Sequence, residues 1–279
     1  MTITTTRDTT HVPTAPRQAG GVSLRGVLRS EAVKLRSLRS SWTTLASAAL
    51  AMLVVGLIFA ATIGGVIGGT GEDVDGIGPT EATLQGMMLA QLIVGVLGVL
   101  TMTSEYATGT IRTTLAMVPS RLPVLWAKAA VVAAVTFPLM LLASLGAFVG
   151  GQALIANGDM ATASLGDPGV LRAVVGAAGY LTAVALAGLA IGTLLRATAA
   201  SIATLFGAVF LLPGLGGVLL PAAWRDDVLQ YLPSNAGTAI TTVDSGAGLL
   251  SPGAGLLVLL AWVVVPLVLA ARALRRRSV

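Results

Sequence analysis

Long uncharged runs alternate along the chain with short polar ones. Six of the runs reach the roughly 20 residues that a helix needs to cross a hydrocarbon layer: 42–68, 82–103, 129–156, 173–195, 197–223 and 250–271. Each is expected to be a helix, because a chain in lipid must satisfy its own backbone N–H and C=O groups. Arg196 alone separates the fourth run from the fifth. That spacing predicts a tight turn with both helix ends trimmed. The expected fold is an all-α polytopic membrane protein with six transmembrane helices.

Two amphipathic segments depart from this pattern. In the first, Leu24, Leu28, Leu35, Leu38 and Trp42 recur at helical spacing, with Arg25, Arg29, Arg36 and Arg39 to one side. This is the pattern of a helix lying in the interface plane, and it is assigned to residues 22–41. Glu31 falls inside the apolar stripe. Either it pairs locally with Lys34 at i, i+3, or it meets a partner group where this helix feeds the first span. The second segment, SEYATGTIRTTLAMVPSR (104–121), is a polar island between the second and third spans. As a helix it places Glu105, Gly109, Arg112 and Ala116 on one face and Ile111, Leu115 and Val118 on the other. Pro119 would end it. Such a helix is expected to lie at the membrane surface and offer its charged face to the adjacent water.

Composition agrees with the pattern. Of 279 residues, 55% are hydrophobic and 10% charged, too few charges to coat a soluble globule. The 34 glycines suit close packing of membrane helices. Zero cysteines exclude disulfides, thiolate metal sites and a cysteine nucleophile. Residues 1–21 are Thr-rich, contain Pro13 and Pro16, and are expected to form a disordered tail. His11, the single histidine, lies in it. The first apolar run is much longer than the 7 to 15 residues or so of a signal-peptide core, so cleavage is not expected. Residues 42–279 are expected to form the six-span domain.

Charge asymmetry orients the chain. With a cytoplasmic N terminus, six crossings leave only Arg172 and Arg225 of the 17 Lys and Arg outside. Of the 12 acids, only Asp8, Glu31 and Glu105 fall inside. Both termini and the 104–121 segment are therefore expected in the cytoplasm. The spans carry no Asp, Glu, Lys, Arg or His away from their ends, which argues against ion coupling. Gln85, Gln91, Gln152, Thr182, Thr193, Ser201 and Thr204 are expected chiefly to tie helices together.

The fifth span carries breakers. Pro213, Gly214, Gly216 and Gly217 predict an interruption two thirds of the way across, followed by Pro221 and Trp224. Residues 225–231 read as a short amphipathic helix closed by Pro233. Residues 215–235 are expected to be a re-entrant or interfacial element capping the outer end of a pathway; a plain proline kink with an ordinary loop is the competing reading.

Chemistry is defined by what the chain lacks. Lys34 and Lys128 are the only lysines, follow Val33 and Ala127, and make no phosphate loop. One histidine cannot make H-E-x-x-H or a membrane Ser-His dyad, and no span holds paired aspartates. No enzymatic activity, no cofactor on this chain and no nucleic-acid partner are expected. A stand-alone channel or carrier and a membrane scaffold are the alternatives to a pathway powered by another protein.

The order of the pieces carries a resemblance. An interfacial helix with SEAVKLRS (30–37), six spans, EYATGTIRTTLAMVPSR (105–121) after the second span and YLPSNAG (231–237) before the last resemble permease subunits of type-2 ATP-binding-cassette transporters, most of them exporters. The resemblance implies a bacterial plasma-membrane protein working as two permease copies, identical or not, among membrane lipids, with separate ATPase subunits. It places Glu31 and Lys34 on a connecting helix, and Glu105, Gly109, Arg112, Pro119 and Arg121 on a cytoplasmic coupling helix docked on the ATPase. Pro213, Gly214, Pro221 and Pro233 would then belong to a re-entrant outer gate, and the cargo would be hydrophobic or amphipathic.

Overall fold

The computed structural model describes residues 23–67, 77–110, 122–158, 161–243 and 248–276. Among them the chain forms α1 (Leu24–Ser37), α2 (Arg39–Ile63), α3 (Pro79–Leu84), α4 (Met87–Ala107), α5 (Leu122–Ala156) and α6 (Val170–Leu195). There follow α7 (Thr198–Phe206), a π-helical turn (Gly207–Leu211), α8 (Leu212–Leu219), α9 (Ala222–Leu229), α10 (Pro233–Thr241) and α11 (Pro252–Arg276). Six units are long and apolar enough to cross a membrane: α2, α3–α4, α5, α6, α7–α8 and α11. They coincide with the six expected runs, and Arg196 and Ala197 alone link α6 to α7.

The fourth span, α6, is the hub. It packs against α4, α5, α7, α10 and α11, and 67% of its most apolar stretch is buried, against 11% for the fifth span. Its small residues allow this. Ala177, Ala178 and Ala185 are fully buried, and a Cβ on Gly98 of α4 would run into the Ala185 carbonyl. Close backbone approach here replaces the hydrophobic drive that is missing between helices in lipid. Polar groups add specific ties. Tyr180 donates to Gln91 Oε1 at 2.5 Å across α6 and α4, and Thr182, Thr193 and Ser201 return their protons to carbonyls one turn back.

The fifth span differs from expectation. The helix runs on through Pro213 and the glycines to Leu219, and the irregularity lies earlier, in the π turn. There Leu212 N–H bonds to Gly207 O, five residues back. Pro213 has no N–H to donate and sits at the start of α8, so widening the turn before it lets the helix pass a proline without a break. Pro221 caps α9 and Pro233 opens α10. α9 covers the expected short helix with shifted ends. The buried piece between the fifth and sixth spans is α10, with Ala236, Gly237, Ala239 and Ile240 packed against α6 and α11.

Candidate coupling site

α1 begins where Ser23 Oγ accepts from Gly26 N at 3.1 Å, the usual N-cap arrangement. It ends at Leu38, whose extended backbone lets α2 restart at Arg39. The expected helix over 22–41 is thus two helices, and 39–41 belong to the first span. The packed face also differs. Leu24 and Leu38 are exposed, whereas Val27, Glu31 and Leu35 are buried against α5. These three are spaced i, i+4, i+8, a single helical face with a carboxylate at its centre.

That carboxylate is the core of an ionic cluster. Lys34 Nζ donates to Glu31 Oε1 at 2.8 Å and to Glu105 Oε1 at 3.2 Å. Lys128 Nζ donates to Glu31 Oε2 at 2.7 Å and to Glu105 Oε1 at 2.9 Å. The side chains of Glu31 and Lys128 are 4% and 5% exposed, and that of Lys34 36%. Both readings of Glu31 therefore hold together: it pairs with Lys34 locally and with Lys128 across 97 positions of sequence. Two acids against two bases leave no net charge, the condition under which buried ions are tolerated. Burial opposes the Lys34 ammonium, but hydrogen bonding to Glu31 and the charges of Glu31 and Glu105 outweigh it, so its pKa lies above the ordinary lysine value of 10.5.

Lys128 is the member that the hydropathy pattern misplaced. The charge count puts it in a loop with Arg112 and Arg121, whereas α5 starts at Leu122 and buries Lys128 in its second turn. Pro123 at the second helical position and the apolar Val124, Leu125 and Val132 around the same face were the available signal.

The start of the expected surface helix at Ser104 is also corrected. Glu105 belongs to the last turn of α4, and its Oε1 is turned inward to two lysines. Gly109 has φ +72°, a left-handed conformation that takes the chain out of the helix. Glu105 and Gly109 thus do not share one helix face. Arg112, Pro119 and Arg121 lie outside the described residues. One residue on from Glu105, Tyr106 stacks under the Arg196 guanidinium, 5.2 Å from the ring centroid. Arg196 itself has φ 59°, an uncommon conformation for a residue with a Cβ. A belt of charged and aromatic groups therefore joins α1, α5, the end of α4 and the turn between the fourth and fifth spans.

Beside the cluster is a cavity of about 600 Å³ between α1, α2, α4 and α5, with Glu31, Lys34, Glu105 and Lys128 on its wall. The Pro213, Gly214, Pro221 and Pro233 set is spread over three helix starts, Pro213 and Gly214 in the first turn of α8, Pro221 before α9 and Pro233 at the start of α10.

Six membrane-length helical units, an amphipathic helix locked to the ends of the second and third spans, and two short helices before the last span make up the described fold. The sequence pattern of the ABC-2 family transporter proteins matches residues 27–214. The chain belongs to the ABC-2 transporter family. It is a multi-pass membrane protein and the permease subunit of an ABC transporter, acting with an ABC ATPase subunit. The match takes in α1 from Val27, the first four spans, the fifth as far as Gly214, and every member of the ionic cluster. Among curated proteins no sequence matches the chain.

Proposed function

We propose that this ABC-2 permease exports a hydrophobic or amphipathic substrate across a bacterial plasma membrane, as half of a pathway completed by a second permease copy. Both termini and the 104–121 segment face the cytoplasm, and ATP is bound and hydrolysed on the partner ATPase. One observation carries the reading. Glu31, Lys34, Glu105 and Lys128 tie α1 to the two helix ends, Ala107 and Leu122, between which the coupling segment is strung. A push on that segment is delivered to α1, the second span and the third as one body. The Tyr106–Arg196 stack carries it to the turn leading into the fifth span. The poor burial of the fifth span leaves it a face for lipid or for the second copy. Between the fifth and sixth spans, α9 and α10 cap the outer end, with α10 as the re-entrant part.

The test is reconstitution of the chain with its ATPase in proteoliposomes. Arg112→Glu is expected to keep ATP hydrolysis while lowering transport about tenfold, a typical coupling free energy between sites. Wild-type coupling in that variant would count against a docking role, and transport by the chain without ATPase would favour a stand-alone carrier. Orientation is read separately. Cysteine placed at Asp75 or Asp244 should react with an impermeant reagent from outside the cell, and one at Ser120 should not; the opposite labelling would invert the topology.

A further inference from the structure

The cavity beside the cluster has a chemistry of its own. From Leu97 to Thr108 its α4 wall runs three turns, about 16 Å along the helix axis. Buried Leu97, Val131 and Val132 line one end, while the cluster and the exposed residues Ser37 and Thr108 line the other. A volume of about 600 Å³ is within the range of small-molecule sites.

Five of the eight hydroxyls on the wall have used their protons on nearby carbonyls. Ser37 donates to Lys34 O, Thr44 to Ser40 O, Thr101 to Leu97 O, Ser104 to Leu100 O and Thr108 to Ser104 O. A hydroxyl has one proton and two lone pairs, so what these groups have left to offer is acceptors. The charges beside them cancel. Each lysine is held by two carboxylates and each carboxylate by two lysines. The four charges sum to zero, so the cluster as a whole offers neither an anion nor a cation a net opposite charge.

We propose that this cavity binds an uncharged amphiphile whose head donates hydrogen bonds through hydroxyl or amide groups, with its apolar tail against Leu97, Val131 and Val132. The inference rests on the reading of the chain as a carrier of amphipathic cargo and names the class of that cargo. Head recognition comes from Thr101, Ser104 and Thr44 within one subunit.

The experiment is equilibrium binding to the assembled transporter in nanodiscs without ATP. The probes are octyl glucoside, octyl trimethylammonium and octyl phosphate, each below its micellar concentration. Saturable binding of the glucoside at one per permease chain is expected, with the two charged probes at least roughly tenfold weaker. Thr101→Val keeps the side chain's shape and should weaken the glucoside about fivefold, the effect of one hydrogen bond. Leu100→Trp, at an exposed position of the cavity wall outside the 104–121 segment, should fill the cavity and abolish binding while ATP hydrolysis persists. Equal or tighter binding of a charged probe, no saturable binding, or unchanged affinity in both variants would overturn the proposal. Because ATP is absent, binding fails or holds independently of coupling: an Arg112→Glu variant that couples normally would remove the docking role and leave this site standing, and lost binding with intact coupling would remove only the site.

Discussion

The two ends of the bundle are held by charged and polar side chains used in opposite ways. At the end where α4 finishes and α5 starts, charged side chains bond to one another, and the four pairs join three helices. At the far end, charged and amide side chains bond to backbone. Arg172 donates to the carbonyls of Ile240 at 2.8 Å and Thr242 at 3.0 Å, and more distantly to those of Ala239 and Val243. These are carbonyls at and just beyond the C-terminus of α10, which have no partner within the helix. Glu81 Oε1 accepts from Val243 N at 2.7 Å, and Gln152 bridges Pro79 O and Ala163 N. The far end thus fixes loops and a helix terminus, whereas the near end fixes whole helices to each other. Ion pairs between helices carry load directly from one helix to the next, whereas a side chain bonded to terminal carbonyls mainly fixes the helix end that it caps. The near end is accordingly suited to transmit movement and the far end to resist it.

Removing Lys128 should break this contrast most severely. Lys128→Ala leaves Glu31 buried with a single partner and is expected to destabilise the protein by about 3–5 kcal/mol, read as a lowered thermal unfolding midpoint. The Glu31→Gln, Lys128→Met double variant should recover most of that loss, because the unmatched charge is gone. A double variant as unstable as Lys128→Ala would show that packing and not charge sets the effect.

A smaller effect is expected at the far end. Arg172→Ala strips the α10 terminus of its donors and should cost about 1–3 kcal/mol. Hydrogen exchange should quicken at the end of α10 while α1 and the end of α4 keep their protection. Faster exchange at both ends would mean that the two are one cooperative unit.

Lys34 should give the smallest change. It is the most exposed of the cluster's side chains, and Lys34→Ala is expected to lower stability by no more than about 1 kcal/mol. Its raised pKa sets the sign of the pH dependence: the contribution is complete below 10.5 and is lost as pH climbs through the higher folded value. Unfolding profiles of wild type and Lys34→Ala should run parallel from pH 6 to 9 and converge at alkaline pH. Profiles that stay parallel through alkaline pH would place the linkage on another group.

What the amino-acid order determined by itself was local or additive. Six apolar runs gave the six spans, since spanning length is a property of one segment. The amphipathic helix before the first span, the turn at Arg196 and the short helix after the fifth span were legible for the same reason. Glu31 stood out because a carboxylate on an apolar face contradicts its surroundings. Tertiary structure decided the rest. The partner of Glu31 lies 97 positions away, and no periodicity within one helix can reveal a pairing between two. Lys128 was hidden by the count of charges that oriented the chain, because a cation near a helix start scores the same whether it faces water or two buried carboxylates. Pro213 was read as a break because proline removes a hydrogen bond, and only the folded chain shows a π turn opening ahead of it to absorb the loss. Segment length and polarity are summed along the chain, whereas the charge cluster, its cavity and the capped α10 exist only where distant helices pack.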